Sequence, residues 1–300
     1  MSFSLILNSS NNVNTTTNTQ FKYSFLAGNF VAKDMEMCIS SVTIPYAFPN
    51  ISTYYNNTSF SIIFPVASTT QTLSITLPNG FYTSTDIQNY IQNQCLANNY
   101  YLVNASAQNV YYFNISVNTS LYTTQIVCSP VPTALPSGWS YGSGGKWGTS
   151  TGGLPTTGYT PQFVLPSSGG INALIGWPAS AGTYPSTQQT TIYSQTGSGA
   201  QTSAGISPVV APLGSNINSL VVRCSILKNN VTVPSDILDG FPINVTYGSN
   251  INYNPSFEKW IPINDGTYSN FLLSFVDQNL NTIYSIDPTI ALTLLIRKKK

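Results

Sequence analysis

One stretch, Leu73–Leu96, carries a helical pattern, and it limits the possible fold more than any other feature of this sequence. Its first part, Leu73–Leu77, alternates apolar and polar residues like a half-buried strand, and Pro-Asn-Gly at 78–80 then favours a turn. Beyond the turn, Thr83 and Asp86 have the spacing of a capping box at a helix start. The apolar residues that follow at helical spacing are Ile87, Tyr90, Ile91 and Cys95. The stretch therefore predicts a strand, a turn and one short helix at about residues 84–97.

Most of the remaining chain has the period of two that is typical of strands. Predicted strands include Phe3–Leu7, Phe21–Phe25, Met35–Ile44, Ser59–Val66, Ser219–Leu227, residues 243–247, residues 283–286 and Ile290–Ile296. Within Met35–Ile44 the alternation slips at Ser40-Ser41, which predicts a β-bulge. Predicted antiparallel pairs join Ser59–Val66 to Gln71–Leu77, and Tyr100–Val103 to Tyr111–Val117. Short strands at regular intervals with polar turns predict an all-β sandwich or barrel.

Two low-complexity stretches interrupt these strands. Residues 129–160 are rich in Gly, Pro, Ser and Thr, and a second such loop runs from about residue 183 to 207. Because connections of this length are uncommon in compact domains, we interpret the first as an insertion. The predicted organisation is one β domain made of residues 1–128 and 161–300, with 129–160 inserted as a surface loop or projecting subdomain. Flexible linkers would have the same composition, and the sequence does not distinguish the two.

The chain is poor in charge: 6% of its residues are Asp, Glu, Lys or Arg, against roughly 25% in typical soluble domains. Asn, Ser and Thr carry its polar surface instead. Such a surface repels copies of itself weakly, which suits a subunit that neighbours cover. A secreted or adhesive β protein could share this composition, and so could any protein from a lineage biased toward Asn and Thr.

The four basic residues at the end of the sequence account for much of its positive charge. Residues 1–296 hold six positive and nine negative side chains, so the +1 net charge depends on the tail. The body of the chain is therefore not a basic nucleic-acid binder. The tail itself could contact nucleic acid or an acidic neighbour, or be a solvated end; its residues are Arg297, Lys298, Lys299 and Lys300.

The absence of histidine excludes Ser-His-Asp triads, Cys-His pairs and His-ligated metals. The four cysteines have no metal-binding spacing, and we expect buried free thiols, although two disulfides would also be possible. Two carboxylate pairs, Asp236 with Asp239 and Glu258 with Asp265, could be imagined in glycoside hydrolysis, but each lies near a turn that Asp commonly caps. We expect neither an enzyme nor a cofactor. The sequence also predicts no cleaved secretion signal and no membrane span.

Four segments together resemble a known family. They are the strand–turn–helix at 73–94, INALIGWP at 171–178, LVVRCSILKNN at 220–230 and FLLSFVDQNLNTIYSIDPTIALTLLIR at 271–297. In kind and order they are similar to the penton and minor capsid proteins of virophages, polinton-like viruses and related large DNA viruses. The resemblance covers most of the chain outside the Gly-rich stretches.

The resemblance implies an all-β jelly-roll β-sandwich with one short helix and Gly/Ser/Thr-rich insertions between strands. It implies a structural capsid protein of the virion, made in the host cytoplasm, that forms homopentamers at fivefold vertices beside the major capsid protein. Residues 129–160, with the loop at 183–207, would then face outward. An alternative within this virus class is a minor capsid or cement protein.

A further alternative is a β-sandwich that binds a glycan or host receptor through aromatic side chains in loops. The candidates for stacking on sugar rings are Trp139, Tyr141, Trp147 and Tyr159.

Overall fold

Strands dominate the computed structural model, which describes residues 2–26, 28–118, 123–144, 146–148, 153–172, 174–177, 181–196 and 217–299. The strands are β1 (Ser2–Asn8), β2 (Gln20–Ser24), β3 (Phe30–Ala32), β4 (Met35–Pro45), β5 (Ser59–Val66), β6 (Thr69–Thr76), β7 (Leu102–Val103), β8 (Asn109–Val110), β9 (Phe113–Asn118), β10 (Thr123–Cys128), β11 (Ser140–Tyr141), β12 (Gln162–Leu165), β13 (Gly182–Tyr184), β14 (Tyr193–Thr196), β15 (Ser219–Cys224), β16 (Ile237–Pro242), β17 (Asn250–Tyr253), β18 (Ile261–Pro262), β19 (Gly266–Tyr268), β20 (Asn270–Asp277) and β21 (Ala291–Lys298). The α-helix α1 spans Ser84–Ala97, and a 3-10 helix spans Ser9–Asn11. No helix in these residues is long and apolar enough to cross a membrane.

The chain forms two compact units. The sandwich unit consists of Met1–Pro49 and Ser215–Lys300, and the inserted unit is Asn50–Gly214. This division does not coincide with the predicted boundaries at 128/129 and 160/161. The physical reason is that apolar residues before, within and after the stretch 129–160 pack in one hydrophobic core, which includes Phe64, Trp147 and Trp177.

The sandwich unit is a jelly roll of two antiparallel sheets. One sheet has the order β1-β21-β4-β17, with β18 also paired to β4, and the other has the order β16-β15-β20-β2. These eight main strands are distributed between two sheets as in the jelly-roll architecture. The predicted all-β jelly-roll fold is therefore confirmed.

The predicted bulge in β4 is confirmed by its pairing with β21. Thr293 lies opposite Ser41 and Leu294 opposite Ile39, so Ser40 is the extra residue. The extra residue changes the phase of the side-chain alternation, and consequently both Ile39 and Val42 are buried.

Strand directions place three connections at one end of the sandwich unit. Because β2, β15 and β17 run toward this end, it holds the connections β2–β4, β15–β16 and β17–β20. The first residues of β1 and the last residues of β21 lie at the same end, where Ser2 pairs with Arg297. We call this end, with its three connections and residues 298–299, the loop end.

The inserted unit combines three small sheets with α1. Their strand orders are β13-β12-β5-β6, β14-β10-β9 and β11-β7-β8. The predicted hairpin is confirmed, with Ser59 opposite Thr76 and Val66 opposite Thr69. The predicted pairing of 100–103 with 111–117 is wrong: β7 pairs with β8 and β11, whereas β9 pairs with β10.

The predicted helix is confirmed with its capping box. Thr83 N–H donates to Asp86 Oδ2 over 2.8 Å, and Asp86 N–H donates to Thr83 Oγ1 over 3.2 Å. Ile87, Ile91 and Cys95 are buried as expected. Gln88 is buried too, and its side-chain Oε1 accepts the Ile115 N–H.

Two predicted strands are absent from the structure. Residues 243–247 form a loop between β16 and β17, closed by Gly248, whose φ of +86° favours glycine. Residues 283–286 are also a loop. It begins in a turn in which Asp277 Oδ1 accepts the N–H groups of Asn279 and Asn281. Ile283 is buried, as the alternation of apolar and polar residues indicated, but it lies in a loop and not in a strand.

Candidate functional site

Most carboxylates of this chain have structural partners. Eight of the nine accept a hydrogen bond or join an ion pair with another described group: Glu36, Asp86, Asp236, Asp239, Glu258, Asp265, Asp277 and Asp287. Among the described residues, no group of three or more His, Cys, Asp or Glu could hold a metal ion. The two carboxylate pairs considered for hydrolysis belong to this set. Asp236 binds Arg223, and Asp265 accepts the Asp34 N–H over 3.0 Å.

Asp239 is the buried member of these pairs. Its carboxylate accepts hydrogen bonds from Tyr253 Oη and Lys259 Nζ, each over 2.6 Å, and from Gly240 N–H over 2.9 Å. Burial and the hydrogen bond to Asp239 raise the pKa of Tyr253. The carboxylate thus joins β16, β17 and the connection after β17, which is a structural use of the charge.

All four cysteines are buried and free, as the sequence predicted. Burial raises the pKa of Cys38 to about 11, and those of Cys95, Cys128 and Cys224 to about 12. A thiol acts as a nucleophile or metal ligand in its thiolate form. These cysteines are therefore protonated side chains of the core at neutral pH.

Of the four aromatic candidates for ligand stacking, Trp147 lies in the core of the inserted unit. It is fully buried, its indole Nε1–H donates to the Pro65 carbonyl over 2.8 Å, and its ring packs edge-on against Phe64, Tyr100 and Tyr112. A surface ligand cannot stack on this ring in the observed fold. The sequence suggested an exposed Trp because its neighbours are glycines, but the glycine-rich segment folds back onto the core.

The other three candidates have accessible surface. Trp139 is half-buried against the same core, Tyr141 lies on the short strand β11, and Tyr159 follows the segment 153–158. Tyr141 and Tyr159 are each 37% exposed. Tyr159 lines a cleft.

That cleft is a neutral polar depression of about 440 Å³ in the inserted unit. Its walls combine the Tyr159 ring with hydroxyl and amide side chains and contain no charged residue. The lining residues are Pro65, Ala67, Ser68, Thr69, Thr70, Pro155, Thr156, Thr157, Tyr159 and Gln188. Sequence reasoning found only Tyr159, since Thr is common throughout the chain and nothing in its spacing marks the others.

In the basic tail, Arg297 differs from the lysines in having side-chain partners. Arg297 lies within β21, its Nε binds Glu36 Oε1 over 2.6 Å, and its guanidinium lies 3.7 Å from the centre of the Trp260 ring. Lys298 is the last residue of β21, and the N–H of Lys299 donates to the Asp34 carbonyl. Both lysine side chains are exposed. Lys300 lies outside the described residues.

No protein-family model matches this sequence, and no curated protein matches it. Among solved structures, the fold is similar to the crystal structure of the mavirus penton protein, with a TM-score of 0.38 and 10% sequence identity over 99% of each chain.

Proposed function

We propose that this protein is a structural capsid subunit, most specifically a penton that forms homopentamers at fivefold vertices. The observation that carries the proposal is the sandwich unit itself. Its two antiparallel sheets have the jelly-roll arrangement that viral capsid domains use, among other binding and structural proteins. The family resemblance of the sequence adds the vertex position, the virion location and the major capsid protein as neighbour.

The distribution of charge supports a subunit with extensive contacts. Between residues 50 and 214 the sequence holds two charged side chains, Asp86 and Lys146. Copies of such a unit can approach each other without appreciable electrostatic repulsion. In this proposal the inserted unit, which contains residues 129–160, supplies outward surface.

Mass determination and negative-stain imaging of the purified full chain test the proposal. A penton gives a species of five times the 32.4 kDa chain mass, with fivefold symmetry in class averages. A stable trimer or hexamer, or a position at threefold or local sixfold sites in imaged particles, would reject the penton and leave a minor capsid or cement protein.

The neutral cleft beside Tyr159 favours a second activity, the binding of an uncharged glycan. Sugar rings stack on aromatic side chains while their hydroxyls bond to Ser, Thr and Gln, and the cleft offers both kinds of group. A glycan array probed with the full chain and with Tyr159→Ala tests this. Binding that Tyr159→Ala abolishes and Tyr141→Ala leaves intact would support it, and an array without any ligand would reject it.

A further inference from the structure

The loop end of the sandwich unit presents unusually exposed apolar side chains. Five of them lie on its three connections, at 66–102% exposure: Leu26, Val31, Val231, Val233 and Phe257. Single exposed apolar residues are common on protein surfaces. Five from three separate segments of the chain, gathered at one end of a sandwich, indicate a surface that meets an apolar phase.

The three connections form one continuous layer. Strand β19 of the β17–β20 connection pairs with β3 of the β2–β4 connection. Lys228 N–H donates to the Pro262 carbonyl over 2.8 Å, which joins the β15–β16 connection to the same layer. Lys299 N–H donates to the Asp34 carbonyl over 2.7 Å and attaches the end of β21. The apolar tips are therefore held on a common support.

Four exposed lysines lie at the same loop end, two on its connections and two at the end of β21: Lys33, Lys228, Lys298 and Lys299. None of them takes part in the three ion pairs found among the described residues. The carboxylates that remain at this end are those of Asp34, Glu258 and Asp265. Two of these are occupied, since Glu258 accepts from Trp260 Nε1 and Asp265 accepts from the Asp34 N–H. These neutral donors leave the carboxylate charges in place, so the four lysines against three carboxylates give the loop end a small excess of positive charge outside its ion pairs.

We propose that the loop end docks on an anionic lipid bilayer, with the apolar tips inserted at the headgroup level and the lysines against lipid phosphates. Apolar side chains with flanking cations are the combination that such a surface binds. Nucleic acid would use the lysines but leave the valines and Leu26 in water. A second copy offers few free carboxylates: its inserted unit holds one, Asp86, and seven of the eight in its sandwich unit already accept hydrogen bonds or join ion pairs.

Co-sedimentation of the full chain with vesicles tests this inference. We expect binding to vesicles of phosphatidylcholine mixed with phosphatidylserine, weaker binding to pure phosphatidylcholine, and a decrease as salt rises. The double variant Val231→Ser/Val233→Ser should lower the partition coefficient about tenfold or more. Ile192→Ser is the control, since Ile192 is also an exposed apolar side chain, at 67% against 88% and 96% for the two valines, but lies in the inserted unit. Lys298→Ala/Lys299→Ala should weaken binding and reduce its salt dependence.

Several outcomes would overturn the inference: no binding to anionic vesicles, equal loss in the Ile192 control, or binding that the valine substitutions leave unchanged. Binding of double-stranded DNA that needs the lysines but not the valines would assign this end to nucleic acid. Loss of oligomers in the valine variant would assign it to a subunit contact. The test is independent of the proposed function. A pentamer that does not bind vesicles would reject only the lipid inference, and a monomer that binds vesicles would reject only the penton assignment.

Discussion

At the scale of single residues, the few charges of the sandwich unit act as ties within the fold, and Asp239 provides a test of this. The substitution Asp239→Asn removes the ion pair with Lys259. It also leaves a single side-chain oxygen to accept hydrogen bonds, where the carboxylate of the unsubstituted protein offers two oxygens to Tyr253 and Lys259. Because the site is buried, we expect a loss of about 2 kcal/mol in the free energy of unfolding, measured by urea titration.

The matched control for this change is Asp236→Asn. Asp236 is paired with Arg223, but the two side chains are 29% and 33% exposed. Water screens a pair of this kind, so the expected loss is below about 1 kcal/mol. Equal losses in the free energy of unfolding of the two variants would show that burial does not determine how much the Asp239 contacts stabilise the fold.

The buried thiols predict how stability depends on pH. Burial raises the pKa of Cys95 and Cys128 to about 12, above the value near 8.5 of an unfolded thiol. Their contribution to stability is therefore complete below about pH 8.5 and is lost as the pH rises toward 12. We expect the urea midpoint to fall between about pH 9 and pH 11 while it stays level from about pH 7 to 8.

Thiol labelling provides an independent measurement of the same feature. In native protein near neutral pH, a thiolate-selective reagent should modify none of the four cysteines, and all four should react in denaturant. Rapid labelling of any one cysteine in the native state would contradict the burial described above.

At the scale of secondary structure, the helix does more than cover the core. Strand β9 is at the edge of its sheet, and the Gln88 side chain bonds to that edge: Oε1 accepts the Ile115 N–H over 2.7 Å, and Nε2 donates to the Phe113 carbonyl over 3.4 Å. The amide thus replaces a neighbouring strand. We expect Gln88→Leu to cost about 1–3 kcal/mol and to speed hydrogen exchange at the Ile115 amide.

Gln92→Leu is the matched control, because Gln92 lies one turn further along the same helix and is only half-buried. In Gln92→Leu, the rate of hydrogen exchange at the Ile115 amide should equal that of the unsubstituted protein. Unchanged exchange in Gln88→Leu would show that packing of the helix, rather than the amide, protects the edge of β9.

Local patterns were sufficient to predict α1 with its cap, the β5–β6 hairpin and the bulge at Ser40. In each case the signal lies within about a dozen residues, where periodicity and turn chemistry act directly. The neighbours of β9, by contrast, are set by contacts between distant segments. The role of Gln88 was missed because it also depends on a distant segment. In the sequence, Gln88 next to Asn89 has the pattern of a solvent-facing helix surface, and only the fold shows that β9 lies beside it.

At the scale of the whole molecule, the division into two units was beyond local patterns. No composition change marks Pro49 or Ser215, whereas the obvious change at Ser129 lies inside the inserted unit. Likewise, the exposed Trp147 expected from its glycine-rich neighbours proved to be core. The cleft at Tyr159 joins residues from three parts of the sequence, and a pattern search examines one part at a time.

The inserted unit has its own hydrophobic core, and we expect residues 50–214 to fold when expressed alone. All members of that core lie within this range, including the buried Trp147 and Trp177. Near-UV circular dichroism and a cooperative thermal transition measure the result. As a control, Trp147→Ala in this fragment should cost about 3–5 kcal/mol. A fragment without a cooperative transition would show that the two units fold only together.

The uneven distribution of charge predicts how association of copies responds to salt. Of nineteen charged residues, two lie in the inserted unit and seventeen in the sandwich unit. If copies meet mainly through uncharged Asn, Ser and Thr surfaces, screening has little to act on, and the oligomer should persist from about 0.05 to about 0.5 M NaCl. Sulfate, which strengthens burial of surface, should favour it further. Mass photometry over the salt series measures the oligomer fraction. Vesicle binding by the loop end, measured in the same preparation, serves as a comparison, because it uses lysines and should decrease as salt rises. An oligomer that dissociates as salt rises would place the contacts between copies on the charged sandwich unit instead.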